Sequence, residues 1–114
     1  PETELIIEEV LNIYKNKNQK IKILDIGTGS GCIAISLAKE FKNSLITAID
    51  ISQEALDVAK KNLKIHNCDN QIQLKKIDFK KIDTKFDLIV SNPPYLTHNQ
   101  FNNSDPEIKN FEPN

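Results

Sequence analysis

Three groups of residues in this 114-residue chain have the types and spacing to do chemistry. Gly27-Thr28-Gly29-Ser30-Gly31 holds all three glycines of the chain within five residues. Glycines there permit positive φ and leave no Cβ to block a ligand lying on the backbone. Asp50, nineteen positions after Gly31, closes an apolar run and offers a carboxylate to ribose hydroxyls. Charge-assisted bonds of that kind contribute about 1.5–3 kcal/mol, roughly one to two decades in affinity. With Asp25 ahead of the glycines and Asp50 behind them, the pattern points to a nucleoside-containing cofactor. The third group is Asn92-Pro93-Pro94-Tyr95, which follows the apolar run Phe86 to Val90. Neither proline has a backbone N–H, and each pushes its predecessor out of helical geometry. The result is a stiff loop presenting an amide, carbonyls without paired donors and a phenol. In open α/β sheets, strand ends of this kind are where ligands bind.

The elements that must hold these groups follow from hydrophobic period. Pro1-Glu2-Thr3-Glu4 opens a helix, with acidic residues at its positive end. Its apolar stripe is Ile6, Val10, Ile13 and Tyr14, broadened by Leu5 and Leu11. Ile21 to Ile26 reads as a strand too apolar for one wet face, the type found inside parallel sheets. Ile33, Ala34, Leu37, Ala38 and Phe41 share one helical face, and Leu45 to Ile49 is a second strand. Ser52 is a candidate N-cap for a helix through Ala55, Leu56, Ala59 and Leu63. Ile72 to Ile77 and Phe86 to Val90 supply two further strands, and Thr97 to Asn114 reads as polar loop. This alternation with short links predicts an α/β unit around a parallel sheet.

Composition narrows the partners. Hydrophobic residues make up 39% and charged residues 27%, as in ordinary soluble domains. The net charge of −1 gives no strong pull toward nucleic acid or acidic membrane. All fifteen cationic residues are Lys, so the bidentate fork favoured for phosphate and guanine is absent. Cys32 and Cys68 lack metal-like spacing, and no metal site is expected. Cys32 reads as small buried filler, and His66 and His98 as solvated. Reduced cysteines and the lack of a membrane span or signal pattern predict a cytoplasmic protein. The absence of Met, even at position 1, predicts a piece of a longer protein.

Spacing discriminates among nucleotide loops. The dinucleotide fingerprint requires glycine at its sixth position, where Cys32 stands, and the Gly-Lys-Ser/Thr of a Walker loop is missing. Gly-x-Gly-x-Gly preceded by Asp25 resembles motif I of class I S-adenosylmethionine-dependent methyltransferases. The resemblance implies a Rossmann-like core. It also implies that Asp25, Gly27, Thr28, Gly29, Ser30, Gly31 and Asp50 bind S-adenosyl-L-methionine, with Asp78 and Phe79 at the adenine. Simple turn capping by Asp25 or Asp50, and core packing by Phe79, are the structural alternatives.

Asn92-Pro93-Pro94-Tyr95 resembles motif IV of amino and amide methyltransferases. An amine on an sp² carbon is a poor nucleophile, and acceptors that grip both N–H bonds hold it facing the methyl group. The Asn92 Oδ1 and the Pro93 carbonyl are two such acceptors, Tyr95 can pack on a planar amide, and Pro94 stiffens the loop. Asn92, Pro93 and Tyr95 are therefore the candidate catalytic residues, with Asn92 also beside the cofactor and Pro94 lining the substrate site. The two motifs, with Pro1-Glu2-Thr3-Glu4 and Phe111-Glu112-Pro113, are together similar to the HemK/PrmC family of release factor glutamine methyltransferases. The family implies a substrate, the glutamine of the Gly-Gly-Gln motif in class I peptide chain release factors. It also implies a helical domain ahead of this chain and strands beyond it, leaving the fourth strand an exposed edge. The alternatives are a nucleic-acid amino methyltransferase and a catalytically silent nucleotide-binding module.

Overall fold

The computed structural model describes residues 2–91 and 107–110. Helix α1 spans Glu2–Ile13, strand β1 Lys22–Ile26, helix α2 Cys32–Glu40 and strand β2 Leu45–Asp50. Helix α3 spans Gln53–Ile65, β3 Ile72–Lys76, β4 Leu88–Ser91 and β5 Glu107–Asn110. A single 3-10 turn, Phe79–Lys81, lies between β3 and β4. The five strands form one sheet in the order β3-β2-β1-β4-β5, and every neighbouring pair is parallel.

Alternation along the strands separates two apolar layers. Ile23, Ile46, Ala48, Leu88 and Val90 face α1, α2 and α3, where Ile6, Val10, Leu37, Phe41 and Leu63 complete the larger core. Leu24, Ile26, Ile49 and Ile89 face the other way and are covered by the segment between β3 and β4. That segment crosses behind β2 and β1, with Ile77, Phe79, Ile82 and Phe86 turned onto the sheet. Each fully buried Leu, Ile, Val or Phe contributes roughly 1.5–3 kcal/mol, so the larger layer carries most of the stability. Leu5 departs from the expected stripe of α1, being 63% exposed, because Ile6 and Val10 already fill the contact with α2.

The order of strands positions the site. From β1 the chain steps outward through β2 to β3, then returns to the other side of β1 for β4. The carboxyl ends of β1 and β4 lie side by side there, Ile26 pairing with Ser91. This is the reversal point at which open α/β sheets bind ligands. The expected exposed edge at β4 is not observed, because Glu107–Asn110 pairs with it as β5, Leu88 opposite Glu107 and Ser91 opposite Asn110. A short segment with Ile108 as its one apolar residue gives no strand period in sequence. Its backbone pairing is what makes it a strand. No helix among the described residues is long and apolar enough to cross a membrane.

Candidate functional site

The glycine loop is built by its neighbours as much as by its own residues. After Ile26 the chain turns sharply, and the N–H groups of Gly27 and Thr28 both donate to the Ile49 carbonyl at 3.0 Å. The three glycines hold φ of 71°, 56° and 83°, the left-handed region that other residues adopt at a cost. Gly31 caps α2, and a Cβ there would stand 3.3 Å from the Ala59 Cβ of α3. Gly31 therefore serves close helix packing. Gly29 differs, since a Cβ there would meet nothing within 4 Å. The space over Gly29 is open, and the Ser30 carbonyl is tied back by the Asn62 side-chain amide at 2.9 Å.

Asp50 ends β2 at the same sheet end. Its Oδ2 accepts from the Gly29 N–H at 3.0 Å and its Oδ1 from the Ser52 N–H at 2.9 Å. The carboxylate thus fixes both the glycine loop and the entry to α3, whose N-cap is Ser52, accepting from Ala55 at 3.2 Å. Each oxygen keeps a further lone pair, and the side chain is only partly buried. The capping reading and the ligand reading of Asp50 are compatible.

Asp25 lies deeper. It sits opposite Ala48 and Val90 on the helix-facing side of the sheet, 1% exposed. Burial pushes its carboxyl up to about 7, and the neighbouring charge of Asp50 adds to the rise. The nearby Thr28 side chain offsets part of this, yet neither Asp25 oxygen nor the Thr28 hydroxyl sits in hydrogen-bonding geometry with a described residue. The Ser91 hydroxyl, at the end of β4, is likewise buried and without a described partner. At 1% exposure Asp25 presents almost no surface above the loop. Ser91 stands directly before the Asn92-Pro93-Pro94-Tyr95 motif and was given no role from the sequence, and its orphaned hydroxyl becomes visible only in the fold.

The third strand end leads into the 3-10 turn. Asp78 is exposed and its Oδ1 accepts from the Lys80 N–H at 3.0 Å, capping the 3-10 turn. Phe79 is partly buried against Leu24, Ile26, Ile49 and their neighbours. Ile51, which sequence reasoning passed over, is 70% exposed directly after Asp50. Cys32 is exposed at the start of α2, not buried as expected, because the buried face of that helix begins at Ala34. Asn92, Pro93, Pro94 and Tyr95 lie outside the described residues, as does His98. A cavity of about 430 Å³ lies elsewhere, lined by Lys22, Thr47, Gln73 and Phe86 among others, and none of the candidate residues borders it. Among the described residues no group of three or more His, Cys, Asp or Glu could hold a metal ion.

A parallel sheet reversing at β1, a three-glycine loop and an acidic residue closing the second strand define the nucleoside-binding half of a class I methyltransferase fold. The chain belongs to the methyltransferase small domain family, whose model matches residues 3–107. It is 52% identical over 98 residues to a release factor glutamine methyltransferase of Streptococcus pneumoniae, covering 85% of this chain and 34% of that protein. Its identity is 44% over 113 residues to the protein of the same name from Buchnera aphidicola, covering 99% of this chain and 40% of the relative. A bifunctional methyltransferase of Rickettsia typhi is 40% identical over 131 residues, covering 98% of this chain and 25% of that protein. The chain thus spans well under half the length of these curated relatives. Among solved structures, a candidate S-adenosyl-L-methionine-dependent methyltransferase of Methanococcus maripaludis superposes with a TM-score of 0.73 at 29% identity. That match covers 86% of this chain and 46% of the other. The magnesium protoporphyrin IX methyltransferase of Synechocystis shares the fold, with a TM-score of 0.69 at 19% identity over 81% of this chain and 41% of that one.

Proposed function

We propose that this chain is the cofactor-binding part of a cytoplasmic enzyme that methylates the glutamine side-chain nitrogen of class I release factors, using S-adenosyl-L-methionine. The observation that carries the reading is the pairing of an open glycine loop with a part-buried carboxylate at the reversal point of the sheet. The names of the relatives from S. pneumoniae and B. aphidicola supply the substrate class.

The residues present fit the cofactor. Gly29 leaves room for a ligand against the backbone, Asp50 retains acceptor capacity for ribose hydroxyls, and the exposed Ile51 offers an apolar surface to a planar base. Bound there, S-adenosyl-L-methionine supplies a sulfonium methyl group as electrophile. The work of this chain is to orient and to exclude. On the strength of the sequence motif, we assign the two N–H bonds of the glutamine amide to Asn92 Oδ1 and the Pro93 carbonyl as acceptors, and the amide plane to Pro94 and Tyr95. These acceptors act most strongly as positive charge develops on nitrogen.

The test is transfer of labelled methyl from S-adenosyl-L-methionine by the full-length protein. A purified release factor is expected to be labelled at the glutamine, and Asn92→Ala to lose transfer by at least ~10²-fold while binding cofactor normally. Labelling of DNA or RNA in place of the release factor would shift the assignment to nucleic-acid amino groups. Cofactor binding without any transfer would mark a silent module.

A further inference from the structure

Charge is unevenly placed in this chain. Residues 75–85 carry five lysines against two aspartates, a net of +3, whereas the rest has ten lysines against fourteen acidic residues, a net of −4. Lys75, Lys76, Lys80, Lys81 and Lys85 are all exposed. Lys17–Glu40 is the salt bridge among the described residues, and none of the five enters one. Asp78, the nearest acid in sequence to Lys80, has one carboxylate oxygen engaged by the turn backbone. The segment is held by the opposite set of side chains, Ile77, Phe79, Ile82 and Phe86, which pack onto the sheet. Its apolar residues anchor and its lysines face solvent. It also starts at the functional end of the sheet, where Lys76 lies beside Asp50 and the Ile77 N–H donates to the Asp50 carbonyl at 3.2 Å.

We infer that this lysine-rich segment is a docking surface for an acidic face of the protein substrate, guiding the substrate loop to the strand ends. The inference rests on the proposed function and adds to it the surface that recognises the whole factor. Two features favour an acidic protein over nucleic acid. The chain has no arginine for bidentate phosphate contacts. Among the described residues of the segment, both aromatic rings, Phe79 and Phe86, pack onto the sheet and do not stand out as a platform for stacking bases. From the functional end of the sheet the segment runs to the start of β4, where the Asp87 N–H donates to the Lys22 carbonyl. Its lysine ammoniums act by long-range steering, which raises encounter rates and fades as salt screens the field.

The decisive experiment compares the full-length wild type with Lys75→Glu/Lys81→Glu/Lys85→Glu on two substrates, the intact release factor and a short peptide containing Gly-Gly-Gln. At low salt the variant is expected to raise KM for the intact factor about tenfold. Its kcat, its cofactor affinity and its KM for the peptide should stay unchanged, and the gap should close near ~0.5 M salt. A milder Lys→Gln triple variant should move KM the same way by less, which guards against misfolding as the cause. If the wild type labels the factor and the variants show the same KM, the docking surface is wrong while the proposed function stands. If the wild type labels no release factor, the proposed function falls and takes this inference with it. If single-stranded RNA competes with the factor for the wild type but not for the variant, the surface belongs to nucleic acid and the acidic-protein assignment is overturned.

Discussion

At the amino-terminal end of the sheet, polar groups meet partners. The Gln71 amide donates to the carbonyls of Ala38 and Phe41 at 3.2 and 3.1 Å, tying α2 to the start of β3. The Ser44 hydroxyl donates to the Phe41 carbonyl, the Asp87 carboxylate accepts from the Lys22 N–H, and the Tyr14 hydroxyl donates to the Asp87 carbonyl. At the carboxyl-terminal end the buried carboxyl of Asp25 and the hydroxyls of Thr28 and Ser91 have no hydrogen-bond partner among the described residues. A buried polar group left unsatisfied costs about 1–3 kcal/mol. One end is therefore finished for stability, and the other carries polar capacity that a bound ligand and its loops can use. Local strain and unmet polar groups of this kind concentrate where binding happens.

The largest effect expected from this contrast is at Asp25. Its carboxyl holds its proton in the folded protein up to about pH 7, against 3.8 in the unfolded chain. The folded state binds more protons between those values. The carboxyl's contribution to stability is complete below pH 3.8 and is lost as pH rises through about 7. The loss amounts to as much as about 4 kcal/mol. Asp25→Asn removes the ionisation, so the variant should gain on the wild type as pH goes from 5 to 8, measured by denaturant unfolding of the full-length protein at each pH. A difference between the two proteins that does not change with pH would place Asp25 among partnered groups and break the contrast.

Asp50 comes next. Asp50→Asn keeps one acceptor but turns an NH₂ toward a backbone N–H, at either Gly29 or Ser52. Cofactor affinity by calorimetry should fall roughly 10- to 100-fold, corresponding to about 1.5–3 kcal/mol. A loss of stability with unchanged affinity would make Asp50 a cap of the same kind as the groups at the other end. Gln71→Ala is the matched control. It should cost roughly 1–3 kcal/mol of stability by freeing the carbonyls of α2, with cofactor affinity moved less than twofold.

These contrasts explain what could be read from sequence. A helical period of 3.6 and short apolar runs located three helices and four strands, because burial of Ile6, Val10, Ile23, Leu37, Val90 and their neighbours is what decides those elements. β5 escaped, since its place in the sheet comes from backbone pairing with β4 and not from an apolar pattern. Within the site, glycine spacing and Asp50 were legible because positive φ and a carboxylate at a strand end are properties of residue type. The double capping by Asp50, the burial of Asp25 and the orphaned Ser91 hydroxyl were not. They depend on which strand lies beside which, a fact set by the return of the chain from β3 to β4.

The smallest expected effect separates two residues of one type. Gly29 and Gly31 both hold positive φ, so an alanine at either is strained by about 1–2 kcal/mol. At Gly31 the new Cβ also meets Ala59 at 3.3 Å, so α2 and α3 must part slightly. At Gly29 it enters open space. Gly31→Ala should therefore lower the unfolding midpoint more than Gly29→Ala, which should lose only the backbone term. Cofactor affinity should separate them in the opposite sense, because the space over Gly29 is where a ligand would approach the backbone. If Gly29→Ala binds cofactor as tightly as the wild type, the open face of the loop is not the binding face. The unpartnered groups at that end of the sheet would then need a different occupant.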